Sequence, residues 1–277
     1  MRVAITGAAG TVGTVLRHEL AEMGYQSLLL DIKQITDLRP NEDFVRADIN
    51  DQPLLTQVFA GCDAIIHLAA CTTDAPWPEQ VKLSIEGTIS VFDAARESGI
   101  KRIIYTSSHH VVGFHPRGGP LSHQAVLLPD SRYGVGKAFG ETIGGLYACK
   151  YAMQIFCIRI GNLNTRPIDR RRLGSWISGR DFGQLIKIGL NHPDIIFEIV
   201  YGISDATGRD YDNSRAYALG YQPQDRFEPW LDQVLADDPP PAPETDAALS
   251  AAETTLGGHF SATEFIGSPQ RLKSVGH

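Results

Sequence analysis

Tyr133 and Lys137 stand four residues apart in Tyr133-Gly134-Val135-Gly136-Lys137, a spacing that puts a phenol and an ammonium on one helix face about one turn apart. A phenol with an ordinary pKa near 10 is a poor base at neutral pH, and a fixed cation beside it favours the phenolate. Ser108, in Thr106-Ser107-Ser108-His109-His110, adds a hydroxyl able to donate to the same substrate oxygen. Base, cation and donor together suit removal of the proton from an alcohol while its carbon gives up a hydride. Such a Tyr and Lys also occur by chance in many helices, so the chemistry needs a hydride acceptor close by.

Gly7-Ala8-Ala9-Gly10-Thr11-Val12-Gly13 points to one. Glycines at these positions permit a tight turn, let the backbone approach a pyrophosphate and let strand and helix pack closely. The helix opening at Thr11-Val12-Gly13 offers free N–H groups and a positive dipole end to phosphates. Asp31 lies 18 positions after Gly13, where a carboxylate can accept from both ribose hydroxyls and repel a 2′-phosphate. NAD is therefore expected over NADP, although Lys33 keeps the second open. Asp48-Ile49 and Leu68-Ala69-Ala70 are expected to supply an adenine edge contact and a small-residue path for the cofactor. The plain alternative makes Asp31 a turn residue and Ala69-Ala70 simple packing.

These groups need a scaffold, and the pattern of apolar runs provides it. Val3–Thr6, Ser27–Asp31, Phe44–Ala47, Ala64–Leu68, Arg102–Thr106 and Gln154–Ile160 read as buried strands. Thr11–Met23, Gln52–Phe59, Glu79–Glu97 and Tyr133–Lys150 read as the helices between them. Strict alternation implies an α/β fold, a doubly wound parallel (Rossmann) sheet covered on both faces, over residues 1–160. Residues 161–277 are expected to form a small substrate-capping lobe at the C-terminal edge of the sheet. Within it, Asn162–Arg180 shows no clear period, Asp181–Leu190 looks helical, Ile195–Val200 looks like a strand, and Asp205–Asn213 reads as a polar loop. Ala236–Asp246, with four prolines, reads as an extended connector, and the tail at Gly257–Phe260 is expected to dock back.

The chain has 277 residues, 25 Lys+Arg against 32 Asp+Glu and a net charge of −7, which argues against nucleic acid or anionic membrane as the main partner. No apolar run approaches a membrane span, and the strand pattern beginning at Arg2 leaves no room for a cleavable signal. Cys62, Cys71, Cys149 and Cys157 show no metal-ligand or CxxC spacing, so reduced, mostly buried thiols in a cytoplasmic protein are expected. Against the net acid balance, Arg170-Arg171-Arg172 is the densest positive charge. A guanidinium fork matches a carboxylate or sulfonate, so at least one of these arginines is expected to hold an anionic sugar; the alternative is a solvated loop. Five glycines (134, 136, 140, 144 and 145) load the helix that carries Tyr133, at about 1 kcal/mol each relative to Ala. Close approach by the cofactor on one side and by a neighbouring subunit's helix on the other is the expected offset, hence a homo-oligomer.

Taken together, TGxxGxxG, the strand-end Asp31, His67-Leu68-Ala69-Ala70, Ser108 and Tyr133-xxx-Lys137 resemble an extended short-chain dehydrogenase/reductase. Tyr105–Pro116, Arg159–Gly161, Ser175–Ser178, Asp181-Phe182, Val200–Gly202, Asp212–Ser214 and Gly257–Phe260 are similar to bacterial uronate dehydrogenases, along nearly the whole chain. The resemblance implies NAD-dependent oxidation of a cyclic sugar acid at C1 to the lactone. It makes Tyr133 the base, Lys137 the residue that holds the nicotinamide ribose and lowers the tyrosine pKa, and Ser108 the residue that fixes the reacting oxygen. His110, Arg172 and Phe260 match substrate-binding positions. Four positions depart: Thr72 stands in place of a Ser, His109 of an Asn, Asn162 of a Ser and Ser84 of an Asn. The departures put the sugar's identity in question. A sulfonated hexose such as sulfoquinovose suits the arginines as a uronate does. An epimerase that keeps its NAD generally needs a larger second lobe, and a non-catalytic dinucleotide sensor has no use for the intact Ser108, Tyr133 and Lys137. His109 and His110 also read as buried, backbone-satisfied histidines, and Thr72 and Asn162 as turn residues.

Overall fold

The computed structural model describes residues 1–205, 210–239, 246–272 and 274–275. Seven parallel strands form the central layer: β1 (Arg2–Thr6), β2 (Gln26–Asp31), β3 (Glu42–Arg46), β4 (Ala64–His67), β5 (Arg102–Ser108), β6 (Gln154–Ile160) and, two short strands later, β9 (Phe197–Gly202). Their order is β3-β2-β1-β4-β5-β6-β9, so the winding reverses between β1 and β4. Ligands of open α/β sheets bind at that reversal, outside the carboxyl ends of the strands. The register makes the rim even. Thr6 pairs with His67, His67 with Tyr105, and Ser108 with Ile160. Gly7, Leu68, Ser108 and Gly161 therefore emerge along one edge.

Helices cover both faces, as the uniformly buried strands require. One face packs Val3, Ile5, Ile66 and Ile158 against α1 (Thr11–Glu22) and α6 (Gly179–Asn191). The other packs Ala4, Ile65, Ile103 and Ile155 against α2 (Gln52–Phe59), α4 (Gly87–Glu97) and α5 (Arg132–Tyr151). The segment expected as one helix over Glu79–Glu97 is α3 (Trp77–Gln80), a π-helical turn at Val81–Glu86, and then α4. The π turn carries Ser84, whose hydroxyl donates to Gln80 Oε1 (3.0 Å) and accepts from the Cys71 N–H (3.4 Å).

The sheet crosses the boundary expected after residue 160, because β9 pairs with β6 from Ile155–Phe197 to Ile160–Gly202. Asn162–Arg180 is ordered by short pieces: β7 (Asn162–Leu163), a 3-10 turn at Arg170–Gly174 and β8 (Trp176–Ile177). Further on come α7 (Ser214–Ala218), α8 (Leu231–Asp237), α9 (Ala247–Thr254) and α10 (His259–Ala262). Of the extended connector expected at Ala236–Asp246, Ala236 lies inside α8 and Asp246 caps α9 by accepting from Ala248 and Leu249 N–H; residues 240–245 lie outside the described residues. Residues 206–209 of the expected polar loop also lie outside them. All four cysteines are free; Cys71 and Cys157 are buried, Cys62 is half-buried and Cys149 is exposed.

Four of the five glycines expected to load α5 (134, 136, 140 and 144) are accounted for by close neighbours within the chain itself. A Cβ on Gly134 would stand 2.6 Å from the His110 carbonyl oxygen, and one on Gly136 2.6 Å from Ser84 Cβ. On Gly140 it would enter the Tyr105 ring, and on Gly144 it would stand 3.0 Å from Ile155 Cγ2. The bare backbone lets α5 lie directly on the sheet and the π turn. That proximity is what carries Tyr133 and Lys137 to the strand edge.

Candidate active site

A cavity of about 590 Å³ opens along the rim, in the range of small-molecule and cofactor sites. At one end are Gly7, Gly10, Thr11, Val12 and Gly13, with Lys33 and Leu68. Gly7 has φ +73°, and a Cβ there would stand 2.7 Å from the Ala69 nitrogen. A Cβ on Gly13 would enter the backbone of Ala8. Glycine is thus dictated by close backbone packing at both positions. No side chain caps α1, so its first N–H groups face the cavity, as an anion site at a helix N-terminus requires. Asp31 stands over this turn: Oδ2 accepts from Ala9 N–H and Oδ1 from Lys33 N–H, both at 2.9 Å. The glycine cradle, the uncapped helix and the oriented carboxylate fit NAD. Ala69 and Ala70 are half-buried behind Gly7, outside the lining of the cavity. Asp48 and Ile49 are not brought to it either. Asp48 is exposed and accepts from Asn50 N–H (2.9 Å), while Ile49 is buried against Gly87.

The middle of the cavity holds Ser108, Tyr133 and Lys137. Ser131 starts α5 by accepting from Gly134 N–H (3.0 Å), which places Tyr133 in the first turn. Lys137 is buried, donates from Nζ to the Thr106 carbonyl (2.7 Å), and lies 5.9 Å from the Tyr133 ring centre. Burial pushes the phenol up to about 12, with Asp130 adding to the rise and the Ser108 hydrogen bond opposing it. Burial also pushes the Lys137 ammonium down to about 7. In the protein alone, burial thus dominates the state of the phenol, and Lys137 is not among the groups that shift it.

The far end brings together the remaining expected residues: Thr72, His109, His110, Asn162, Arg171, Arg172 and Phe260 all line the cavity. His110 Nδ1 stands 2.7 Å from Asp130 Oδ2, and Phe260 from α10 packs on the His110 ring at 4.4 Å. His109 Nδ1 is 3.0 Å from the Tyr211 hydroxyl; burial and the neighbouring cations hold its pKa well below the usual value. The three consecutive arginines separate. Arg170 pairs with Glu253 (2.7 Å) and Arg172 with Asp169, whereas Arg171 donates to the Leu256 carbonyl (3.3 Å) and has no carboxylate partner among the described residues. Arg171 Nε and Asn162 Oδ1 are buried without a hydrogen-bond partner among the described residues. A buried donor and a buried acceptor left open in one cavity are a site for a polar ligand. Sequence reasoning missed Asp130, Arg117, Asp210 and Tyr211. Asp130 had a local signal, three residues before Tyr133; the other three come together only through the docking of distant loops.

A Ser–Tyr–Lys set beside a glycine turn, at the reversal of a doubly wound sheet, defines an NAD-dependent dehydrogenase of the short-chain type acting on CH–OH. The profile of the NAD dependent epimerase/dehydratase family matches residues 3–177, and the chain belongs to that family, the extended short-chain dehydrogenases/reductases. It is 35% identical to a uronate dehydrogenase of Pseudomonas putida, over 94% of this chain and 97% of that one. It is 34% identical to an NAD-dependent glucose-6-phosphate dehydrogenase of Haloferax volcanii, over 80% and 93%. A crystal structure of a uronate dehydrogenase variant from Agrobacterium tumefaciens complexed with NAD superposes with a TM-score of 0.87 at 32% identity, covering 96% of this chain and 98% of that one.

Proposed function

We propose that this protein oxidises C1 of a cyclic sugar bearing an anionic group, a uronic acid such as glucuronate or galacturonate or a sulfonated hexose, to the aldonolactone. The observation that carries the reading is Arg171, which among the described residues has no carboxylate partner and a buried Nε without a hydrogen bond, in the cavity of Ser108, Tyr133 and Lys137. The relatives named above act on uronate and on glucose-6-phosphate, sugars that share an anionic substituent.

Bound NAD supplies the acceptor for the C1 hydride and a positive charge. Arg171 holds the anionic group, and Asn162 Oδ1 accepts from a sugar hydroxyl. Ser108 and Tyr133 hold the anomeric oxygen. As the C1–H bond breaks, Tyr133 takes the hydroxyl proton and the oxygen closes to a carbonyl beside the ring oxygen, which is a lactone. Lys137, fixed by the Thr106 carbonyl, stabilises the phenolate that this step needs.

NADH formation from glucuronate, galacturonate, a sulfonated hexose and neutral hexoses tests the reading. Oxidation of anionic sugars, lost in Tyr133→Phe, is expected; a preference for neutral hexoses would overturn it.

A further inference from the structure

Beyond the reacting end, the cavity meets a guanidinium outside the arginine run. Arg117 lines it together with Arg171 and Arg172. The Arg117 N–H donates to the Thr254 carbonyl (2.9 Å), which fixes its loop against the end of α9. Its Nη2 stands 3.6 Å from Asp210 Oδ2, too far for a hydrogen bond, and the side chain is about one-fifth exposed (21%). Asp210 is itself anchored from behind, with Oδ1 accepting from Gly118 N–H (3.1 Å). Asp210 thus steadies one edge of the guanidinium without closing its donor fork.

Arg171 lies near enough to feel this charge. After burial, Arg117 is the largest influence holding the Arg171 pKa below the usual guanidinium value. Among the described residues, Arg172 pairs with Asp169 and Arg117 stands near Asp210, while Arg171 has no carboxylate within ion-pair distance. Buried like charges cost free energy until an anion joins them. The shape of that anion matters. A planar carboxylate has two oxygens, which a single guanidinium fork engages side by side. Two guanidiniums together offer more N–H donors than the two oxygens of a carboxylate can take up, and a tetrahedral head supplies a third oxygen for the second fork.

We propose that Arg117 and Arg171 together grip a three-oxygen anionic head, a sulfonate or a phosphate ester at the far end of a hexose, so that Arg117 makes the enzyme prefer such sugars to uronic acids. The inference rests on the anionic-sugar reading above. Arg117 acts as a specificity residue remote from the hydride chemistry.

The test compares kcat/KM for glucuronate, galacturonate, a 6-sulfo-hexose and a hexose 6-phosphate, in the wild type, Arg117→Gln and Arg117→Lys. In the wild type the sulfonate or the phosphate sugar should exceed both uronates by ~10-fold or more, the range of a charged hydrogen bond. The better of the two names the head group. Arg117→Gln should remove that preference, lowering kcat/KM for the sulfonate or phosphate sugar at least several-fold more than for either uronate, and Arg117→Lys should keep part of it. Methanesulfonate and inorganic phosphate should be compared with acetate as inhibitors competitive with the sugar. At least one of the first two should bind more tightly than acetate, through a difference that Arg117→Gln erases. Uronates preferred in the wild type, or an equal loss for every sugar in Arg117→Gln, would overturn the inference and leave the C1 oxidation intact. Oxidation of none of the anionic sugars would overturn both.

Discussion

Burial sets the state of Tyr133 and Lys137, and each shift has a measurable consequence. Lys137 is held at about 7 in the folded chain, against an ordinary 10.5. Between those values the unfolded chain binds a proton that the folded chain does not, so this group makes stability rise with pH across that window. Its full penalty is present below about pH 7. Lys137→Met should therefore be more stable than the wild type near pH 7, by ~2–4 kcal/mol, and converge with it above pH 10.5, while losing activity. Urea unfolding at pH 7 and 10 reads this out, and a variant less stable at pH 7 would refute it. Asp130 acts on Tyr133 in the opposite sense, since its carboxylate adds to the rise of the phenol. It also fixes His110 through Nδ1 and accepts from the Ser131 hydroxyl (2.8 Å). Asp130→Asn should move the limb of the kcat/KM profile that reports Tyr133 ionisation to lower pH, and should raise KM as His110 loosens. A limb that stays in place would show that the Asp130 charge does not reach the phenol.

Among the elements, α5 carries the argument, because its glycines are not equivalent. A Cβ at Gly140 enters the Tyr105 ring, whereas one at Gly145 meets only Phe197 at 3.6 Å, an ordinary contact. Gly145→Ala should raise stability by ~0.4–1 kcal/mol, as expected where alanine fits. Gly140→Ala should lower it by ~1–3 kcal/mol through overpacking. Thermal melts that move both variants the same way would contradict this account. The contrast also marks how far the sequence could be read. The alternation of buried strands and helices announced the sheet, and Gly7, Gly10 and Gly13 announced the phosphate end, because both patterns are local. The reason for the α5 glycines was not legible, since what they meet (His110, Ser84, Tyr105, Ile155) is distant in sequence. The same holds for the buried Arg159–Glu141 pair (2.8 Å), which joins β6 to α5 and to Ser107 and was invisible as a pattern. The Arg170–Arg172 run suggested an anion site, but which of the three lacks a carboxylate partner among the described residues depends on Glu253 and Asp169, which only folding brings into place.

At the scale of the whole molecule, the cavity is completed by the end of the chain. Gly257 N–H donates to the Gly113 carbonyl (2.8 Å), and Phe260 then covers His110 and stands 6.1 Å from the Tyr133 ring centre. Between them Gly258 adopts φ +64°, and a Cβ there would enter the Arg171 guanidinium. The tail therefore seats Arg171, the cation proposed to hold the sugar's charge, while the glycine cradle for NAD, built by β1 and α1, lies at the other end of the cavity. Coupling of the tail to one end alone gives a separable outcome. In Gly258→Ala the new methyl and the positive φ both force Arg171 or the tail to move. KM for the anionic sugar should rise by about 10-fold or more, the scale of a lost charged hydrogen bond. Binding of NADH, followed by fluorescence, should change by less than about 2-fold, since none of its expected contacts involves residue 258. If both ligands weaken together, the tail supports the whole cavity rather than the sugar end. If neither changes, Arg171 does not depend on Gly258, and its placement is fixed by the Arg170–Gly174 turn alone.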